Sequence, residues 1–597
     1  MNKATQQAAT PVAHRNTLRH RRLAFAFLVI TSALALLGLM ASALFATAPD
    51  AIGVAMLMLF ALTLPWTTIG FWNAVIGFGL MHFARDPAGL VAPHLRSIQG
   101  DEAIDSSTAL LICIRHEDTE RLERNLGWML DGLARTGQAQ WFHLYMLSDS
   151  DQVDIVEGER QVAARLTERF GKQLEITYRR REASSGFKAG NIRDFCERWG
   201  HLHPFAIVLD ADSVMTPAAM LRLVRIMQAQ PRIGILQTLV TGLPSSSPFA
   251  RIFQFGMRLG MRSYTLGAAS WQGDCGPYWG HNAILRLAPF MQSCHLPVLP
   301  GKPPLGGHVL SHDQLEAVLM RRAGYEVRVL PEEDGSWEEN PPTLPEFIRR
   351  DLRWCQGNMQ YLQLLNMPGL RPVSRCQLWL AIAMYAGAPA WLGLIALGLL
   401  RQAPIDMAMF KVMFAITMTM SFAPKLATLG DVLLRPDLRR DYGGALRVLI
   451  SAALETAFSM LMAPISAVSV TLFMLGLPLG REIGWTAQQR DAAGISVLAA
   501  TRRLWLHTLL GIGLGLAVWQ VFSATVWLWA PFVAGLVGSI PLAVVSADPR
   551  LGRALAASGL CRIPEEARLP EQPEYTPLFS PFDSVALTAA TSSGIAE

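Results

Sequence analysis

The stretch FAIVLDADS, residues 205–213, combines an apolar run of strand length with two aspartates, Asp210 and Asp212, at its end. An apolar run of this kind is typical of a buried strand in an α/β domain, where ligands bind beyond the carboxyl ends of the strands. Because two neighbouring carboxylates repel each other, a Mg²⁺ ion that carries a substrate phosphate is a suitable occupant. The alternative is that the aspartates only cap the next helix, and the D-x-D pattern alone does not decide between the two.

The sequence before this stretch alternates between predicted strands and helices. Residues 108–115, 141–147 and 174–178 are the predicted strands, and Glu117 and Asp149 follow the first two of them. This alternation predicts a mostly parallel sheet of an α/β domain, with the acidic residues gathered at its carboxyl edge.

A basic, glycine-containing segment, residues 179–191 (RRREASSGFKAGN), opens a predicted helix. Backbone N–H groups and Lys188 would face the same anion, so the segment predicts a phosphate cradle. Its spacing matches no P-loop, and an ATPase is therefore unsupported. An ordinary solvated loop is the alternative.

The chain has 597 residues, of which 51% are hydrophobic and 17% charged, and the apolar residues form long uncharged runs. About 20 apolar residues cross a bilayer as a helix. We predict that residues 1–22 form a basic cytoplasmic tail, that residues 23–81 form two transmembrane helices, and that residues 82–375 form a cytoplasmic domain with an interface helix near 345–366. Residues 376–547 would form a transmembrane region of about six spans, with cytoplasmic loops near 430–447 and 481–503. Residues 548–597 would form a disordered cytoplasmic tail.

The predicted orientation rests on the distribution of basic residues. Residues 1–22 contain five Lys or Arg and no acidic residue, which places the N-terminus in the cytoplasm. Arginines also cluster in both later loops, so residues 448–480 must cross the membrane twice or not at all. We predict a tight hairpin containing Pro464 or a re-entrant element. This gives eight spans, or six if the region only lies on the membrane surface.

Other residue patterns exclude several classes of site. The seven cysteines form no C-x-x-C pair, which favours reduced thiols. His281 and His312 match no zinc-ligand spacing. The basic residues lack a nucleic-acid-binding motif and lie beside predicted spans, so we expect no nucleic-acid partner.

Three motifs follow the D-x-D: WGHN (279–282), SHD (311–313) and RRDLRWCQ (349–356). This order resembles the processive, membrane-embedded inverting glycosyltransferases that include cellulose and hyaluronan synthases. Their last motif usually starts with glutamine, where this chain has Arg350. The strings VLDADSVM, YWGHNAI, LMRRAGY, RRDLRWCQGN and WTAQQRD (485–491) are similar to one branch, the glucosyltransferases that make osmoregulated periplasmic glucans. The similarity runs from about residue 105 to beyond residue 490.

The resemblance implies a glycosyltransferase-A-like cytoplasmic domain inserted in a polytopic α-helical membrane domain, and it implies a role for each motif residue. Asp313 would be the general base. Asp210 and Asp212 would hold Mg²⁺, Glu117, Asp149 and Lys188 would bind the nucleotide, and Arg350, Arg353, Trp354, Trp279, His281, Asn282 and His312 would bind the acceptor and the diphosphate.

The resemblance also implies a bacterial inner-membrane enzyme that builds β-1,2-glucan from UDP-glucose, with the growing glucan, the lipid bilayer and, in some members, acyl carrier protein as partners. Lys411 and Glu455 lie inside apolar stretches and are candidates for lining an export path, although Lys411 could instead snorkel to the interface. The alternatives are a synthase of another polymer, a lipid-linked sugar transferase, or a non-catalytic sugar-nucleotide sensor or transporter.

Overall fold

The computed structural model describes residues 11–46, 48–333, 335–484, 494–521 and 526–568. The first ten residues of the predicted basic tail, the 485–491 motif and residues 569–597 of the predicted disordered tail lie outside this range. The chain begins with two long apolar helices, α1 (Pro11–Leu44) and α2 (Ala51–Phe83), and the short helix α3 (Pro87–Val91) leads away from them.

A mixed sheet forms the centre of the domain that follows. The strands, in chain order, are β1 (Thr108–Ile114), β2 (Phe142–Ser148), β3 (Glu175–Arg180), β4 (Phe205–Asp210), β5 (Val214–Met215), β6 (Ile233–Gln237), β7 (Thr241–Gly242), β8 (Ala283–Arg286), β9 (Val298–Leu299), β10 (Gly307–His308), β11 (Glu326–Val329) and β12 (Ser336–Glu338). Seven strands form the main sheet in the order β11-β6-β8-β4-β1-β2-β3, with β4 in the middle. The strands β1 to β4 are parallel, as predicted, whereas β8 runs antiparallel to both of its neighbours.

Helices cover both faces of the main sheet. Those that pack on it are α4 (Thr119–Arg135), α5 (Val153–Phe170), α6 (Phe187–Trp199), α7 (Pro217–Ala229), α9 (Leu287–Ser293) and α10 (His312–Arg322). The domain also contains α8 (Pro248–Gln272) and α11 (Leu344–Gln360). Side chains alternate along a strand, so Ile207 and Leu209 of β4 pack towards α4, α5 and α7, while Ala206 and Val208 pack towards α6, α9 and α10. Burial on both faces explains why β4 is apolar throughout.

The second half of the chain is helical. Its helices are α12 (Pro372–Leu400), α13 (Met407–Leu434), α14 (Pro436–Asp441), α15 (Ala445–Gly476), α16 (Val497–Val521), α17 (Val526–Val537), α18 (Ser539–Ser546), α19 (Pro549–Ser558) and α20 (Glu565–Arg568). In the described residues, α1, α2, α12, α13, α15 and α16 are the six helices long and apolar enough to cross a membrane, and α17 with α18, bent by 64°, would be a seventh.

The prediction of a hairpin within residues 448–480 is wrong, because α15 is one continuous helix that contains Pro464. A proline removes only one helical hydrogen bond, and packing by a neighbouring helix allows an apolar helix to continue through it. Here Gly535 of α17 supplies that packing, since a Cβ atom there would lie 2.7 Å from the ring of Pro464. In the described part of residues 376–547, four helices are long and apolar enough to cross a membrane and one bent pair follows them, so the number of spans there stays a prediction.

Two helices join the domain to the apolar helices. The first is α11, which lies in the stretch 345–366 predicted as an interface helix. That α11 lies in a membrane interface stays a prediction. The second, α8, was not predicted. It contacts α2 so closely that a Cβ atom on Gly77 would lie 1.9 Å from the carbonyl oxygen of Ser263, and one on Gly267 would lie 1.9 Å from that of Asn73.

The prediction of a disordered tail from residue 548 is wrong for residues 548–568. Helix α19 packs on the start of α8, where Gly552 meets the carbonyl oxygen of Ser246, two residues before that helix. Helix α20 supplies Glu565 to the buried Arg258 at 2.7 Å. A buried guanidinium requires a partner, and this segment provides one.

Candidate active site

A cavity of about 210 Å³ lies at the carboxyl edge of β1, β2 and β4, between the loops after these strands and the helices α10 and α11. The site residues predicted from the sequence line it, with the exception of Asn282. They are Glu117, Asp149, Lys188, Asp210, Asp212, Trp279, His281, His312, Asp313, Arg350, Arg353 and Trp354. The residues that follow parallel strands meet at this edge because all of the strands end on the same side of the sheet.

The two acids of the D-x-D stretch lie at the centre of the cavity wall. Ser213 Oγ accepts a hydrogen bond of 3.0 Å from the backbone N–H of Asp210, which fixes the turn after β4. Lys188 contacts the Asp210 carboxylate and donates a second hydrogen bond, of 2.8 Å, to the carbonyl oxygen of Gly280. Burial lowers the pKa of Lys188, but the attraction of Asp210 outweighs it and leaves the pKa above its ordinary value. The charged ammonium group of Lys188 therefore already lies beside the D-x-D acids.

These acids fit a metal ion that arrives with its substrate. Within the described residues, no group of three or more His, Cys, Asp or Glu side chains could hold a metal ion. Mg²⁺ at phosphate sites needs only one or two carboxylates, because phosphate oxygens and water complete its coordination. Asp210 and Asp212 meet that requirement.

Near the residues predicted to bind the nucleotide, Arg181 holds Asp149 through two hydrogen bonds of 2.7 and 2.6 Å. This fork geometry is the strong form of the arginine–carboxylate pair. Arg179 forms an ion pair with Asp194 through a single contact of 3.1 Å. Neither of these arginines of the predicted phosphate cradle lines the cavity, whereas Lys188 does.

Asp313 lies in the first turn of α10, where the helix dipole stabilises a negative charge. Gly280 approaches it closely: a Cβ atom on this glycine, whose φ is +82°, would lie 3.3 Å from Cβ of Asp313. From the other side, Tyr361 Oη donates a hydrogen bond of 2.6 Å to the carbonyl oxygen of Ser311. The start of α10 is therefore fixed through Ser311, and Asp313 packs against Gly280.

The neighbouring His312 forms a buried pair with Glu316, with Nδ1 and Oε2 separated by 3.0 Å. Burial lowers the pKa of His312, but the adjacent Glu316 carboxylate outweighs it and leaves the pKa above its ordinary value. His312 is thereby favoured in its charged form beside Asp313.

Trp354 and Arg350 of α11 also line the cavity. The guanidinium carbon of Arg350 lies 4.8 Å from the centre of the Trp354 ring, which is 48% exposed. An exposed indole offers a flat apolar face of the kind on which a sugar ring can stack. Next to them, Asp351 accepts a hydrogen bond of 3.0 Å from Tyr385 Oη, which ties α11 to α12.

Asn282 lies behind the cavity. It is fully buried, and its amide group donates hydrogen bonds of 2.9 Å to Ser336 Oγ and 3.1 Å to the carbonyl oxygen of Trp337. Asn282 thereby fixes β12, whose last residue, Glu338, does line the cavity. Glu338 was not predicted, because the surrounding sequence SWEENPP carries no recognisable motif.

Comparison with known proteins is consistent with this arrangement. The model of the Glycosyl transferase family group 2 matches residues 205–426. Glucans biosynthesis glucosyltransferase H of Pseudomonas aeruginosa is 36% identical over 558 residues, which are 88% of this chain and 64% of that protein. The protein of the same name from Xanthomonas campestris is 37% identical over 539 residues, 86% of this chain and 82% of that protein. The chain thus spans less than two thirds of the Pseudomonas relative.

A solved structure, a mannosyltransferase from Pyrobaculum calidifontis in complex with GDP-Man and Mn²⁺, is similar with a TM-score of 0.36 and 14% identity, covering 64% of this chain and 98% of that one. A likeness this distant supports no conclusion about ligands. The mixed sheet domain and the long apolar helices confirm the predicted fold class, a glycosyltransferase-A-like domain joined to helices consistent with a membrane-spanning region. By its extended identity to these relatives, the chain belongs to the glucans biosynthesis glucosyltransferase H family.

Proposed function

We propose that this chain is a processive, inverting membrane glucosyltransferase that uses UDP-glucose to build the linear β-1,2-glucan backbone of osmoregulated periplasmic glucans. Its family supports a glycosyltransferase of glucan synthesis. The donor, the linkage and processivity rest on the sequence resemblance. The observation that carries the proposal is that two metal-type acids, a separate carboxylate and an exposed tryptophan line one cavity.

The donor would occupy the end of the cavity near β1 and β2. Glu117 and Asp149 would face the uridine, and Lys188 would contact the phosphates. Asp210 and Asp212 would hold Mg²⁺ against the diphosphate. A cation bound there would neutralise the charge that develops on the leaving group. Lys188 contacts Asp210 directly, and we propose that this pair rearranges when the donor binds.

The acceptor would lie at the other end, with its terminal sugar against Trp354 and its reacting hydroxyl at Asp313. That oxygen forms a bond to the anomeric carbon of glucose while the bond from this carbon to the phosphate oxygen breaks. The electron pair leaves with UDP, and the hydroxyl proton goes to Asp313 as general base. Attack from the side opposite the diphosphate inverts the anomeric configuration.

We propose that the protein lies in the bacterial inner membrane with its catalytic domain in the cytoplasm, and the contacts of the apolar helices support this orientation. Arg22, near the basic start of α1, forms an ion pair of 2.6 Å with Asp274 of the catalytic domain. At the opposite ends of these helices, Arg401 after α12 pairs with Asp50 before α2 at 2.7 Å. We place the first pair on the cytoplasmic side and the second on the periplasmic side.

Helix α15 fits a position along the cytoplasmic surface of the membrane. At its start, Val448 packs in one cluster with Leu344 of α11. Near its end, Phe473 packs in another cluster with Met359 of the same helix. Because both ends of α15 contact α11, we propose that it does not cross. The membrane would then hold six spans, counting α17 with α18 as one, which is the number expected if residues 448–480 only lie on the membrane surface.

The enzyme's product tests the proposal directly. Membranes containing the full chain would be incubated with labelled UDP-glucose and Mg²⁺, and the product analysed for linkage. We expect predominantly β-1,2-linked glucan, and no polymer after chelation of divalent cations. Predominantly β-1,4-linked polymer or a lipid-linked monosaccharide would contradict the proposal.

Acyl carrier protein remains a proposed partner on the resemblance alone. The same assay with and without added acyl carrier protein tests this proposal. Equal synthesis under both conditions, in membranes stripped of the endogenous protein, would show that this chain does not require it.

A further inference from the structure

Glu338 occupies a distinctive place in the cavity, next to residues from three different motifs. Its Oε2 lies 3.4 Å from Nε2 of His281, and its carboxylate interacts electrostatically with Arg350 and Asp212. The mechanism proposed above assigns no task to Glu338.

The backbone around Glu338 is held firmly. Strand β12 pairs antiparallel with β5, so that Trp337 lies opposite Val214, just after the D-x-D turn. On its other side β12 pairs with β7, and the carbonyl oxygen of Glu338 accepts a hydrogen bond of 2.8 Å from the backbone N–H of Leu243. A side chain on such a rigid element is suited to hold a ligand in one orientation.

Glu338 and Asp313 lie at the two ends of the short Gly280-His281 segment. Gly280 meets Asp313, and His281 meets Glu338. His281 is itself held from behind, since its Nδ1 lies 3.2 Å from Oδ1 of Asn282. Two further carboxylates, those of Asp313 and Glu338, therefore line the cavity on either side of this segment.

Only one carboxylate is needed as a base, so the second is available for a different task. A carboxylate accepts hydrogen bonds from sugar hydroxyls through both of its oxygens. Arg350, which interacts with Glu338, also stacks on Trp354, so Glu338 is close both to the metal-type acids and to the residues predicted to bind the acceptor.

We propose that Glu338 binds hydroxyl groups of the acceptor's terminal glucose and so determines which hydroxyl of that sugar faces Asp313. The inference rests on the proposed function, because it assigns the acceptor subsite of the same cavity. Glu338 would then determine which linkage forms, and it would also determine whether cleaved glucose is added to the glucan or lost to water. The partner class is a glucan end with free vicinal hydroxyls.

The test compares Glu338→Gln with the wild-type chain, purified at full length in detergent. Labelled UDP-glucose reports glucan formation, its linkage and release of glucose to water, and UDP binding is measured in the same preparation. We expect UDP affinity to stay within about twofold of wild type. Glucan formation should fall at least about tenfold, which corresponds to the loss of a hydrogen bond to a charged group. A larger share of the glucose should be released to water or joined through other linkages.

Glu339→Gln is the matched control, because Glu339 is the next residue and pairs with Arg121 at 2.9 Å. We expect it to retain glucan formation. Unchanged glucan formation and linkage in Glu338→Gln would overturn the inference, as would a loss of UDP affinity equal to the loss of synthesis.

If Glu338→Gln does not fold, Glu338→Asp takes its place, since it keeps the charge and moves the carboxylate by one carbon–carbon bond. Altered linkage or coupling with intact UDP binding supports the inference, and wild-type behaviour overturns it. Absence of glucan from the wild-type chain would contradict the proposed function itself. Wild-type synthesis with an unaffected Glu338→Gln contradicts only the present inference.

Discussion

Nζ of Lys425, on α13, lies 2.6 and 2.9 Å from the two carboxylate oxygens of Glu455, on α15. The two residues border a cavity of about 290 Å³ between α8, α13 and α15. Glu455 is buried, whereas Lys411, the other predicted candidate for an export path, is exposed near the start of α13. The position of Lys411 fits the alternative of snorkelling.

The first prediction concerns this ion pair. Lys425→Met leaves a buried carboxylate uncompensated in apolar surroundings, and we expect it to lower the free energy of unfolding by about 3–5 kcal/mol. Replacing both residues by Met should recover most of this loss, because no charge then remains. Thermal unfolding of the chain in detergent or nanodiscs measures both effects. A loss in the double variant as large as in Lys425→Met, or an equal loss in Lys411→Met, would contradict the prediction.

A second prediction concerns the docking of the C-terminal segment. Arg258 of α8 is buried and pairs with Glu565 at 2.7 Å and with Glu333 at 3.0 Å. Arg258→Met leaves two carboxylates together without their cation, so we expect a loss of about 3–5 kcal/mol and faster hydrogen exchange across α20.

The control for the second prediction is Arg193→Met, which removes an exposed arginine from a pair with Glu197 on the same helix. Exposed pairs contribute about 0–1 kcal/mol, so this variant should unfold almost as the wild type does. Equal hydrogen exchange of α20 in the wild type and in Arg258→Met would show that the segment is held by other contacts.

Much of the catalytic domain follows from local sequence. The apolar run before Asp210 predicts the central strand, and the parallel strands before it bring Glu117 and Asp149 to the same edge. Asp313 and Trp354 were expected there because of the family motifs. These predictions depend on short patterns and on the rule that parallel strands end on one side of the sheet.

The parts that were missed depend on contacts between distant segments. Glu338 reaches the cavity only because β12 pairs with β5, a pairing that no local pattern predicts. The segment 548–568 appears as a polar tail in sequence, but its acids neutralise arginines buried on α8. Lys425 was missed as the partner of Glu455, since helix packing and not sequence spacing joins them.

A third prediction concerns pH and the buried pair of His312 and Glu316. The folded-state pKa of His312 lies above its ordinary value of about 6.5, so the pair contributes its full stability below about pH 6.5. That contribution is lost as the pH rises through the folded-state pKa. Glu316→Gln removes the partner, and we therefore expect the difference in unfolding temperature from wild type to be largest near about pH 6 and to shrink towards about pH 9. A difference that grows with pH would contradict this assignment.

The last prediction separates chemistry from donor binding. Asp313→Asn keeps the size of the side chain and its position in the first turn of α10 but cannot accept the hydroxyl proton. We expect glucan formation to fall by about 10²–10⁴-fold, the range typical of a lost general base, while UDP affinity stays within about twofold.

Asp154→Asn is the matched control, because Asp154 also lies in the first turn of a helix, α5, and is exposed away from the cavity. It should retain synthesis, since an exposed charge at a helix start contributes only about 0.3–1 kcal/mol to stability. Synthesis by Asp313→Asn within tenfold of wild type would assign the base to another group, and a parallel loss of UDP affinity would place Asp313 on the donor side of the cavity.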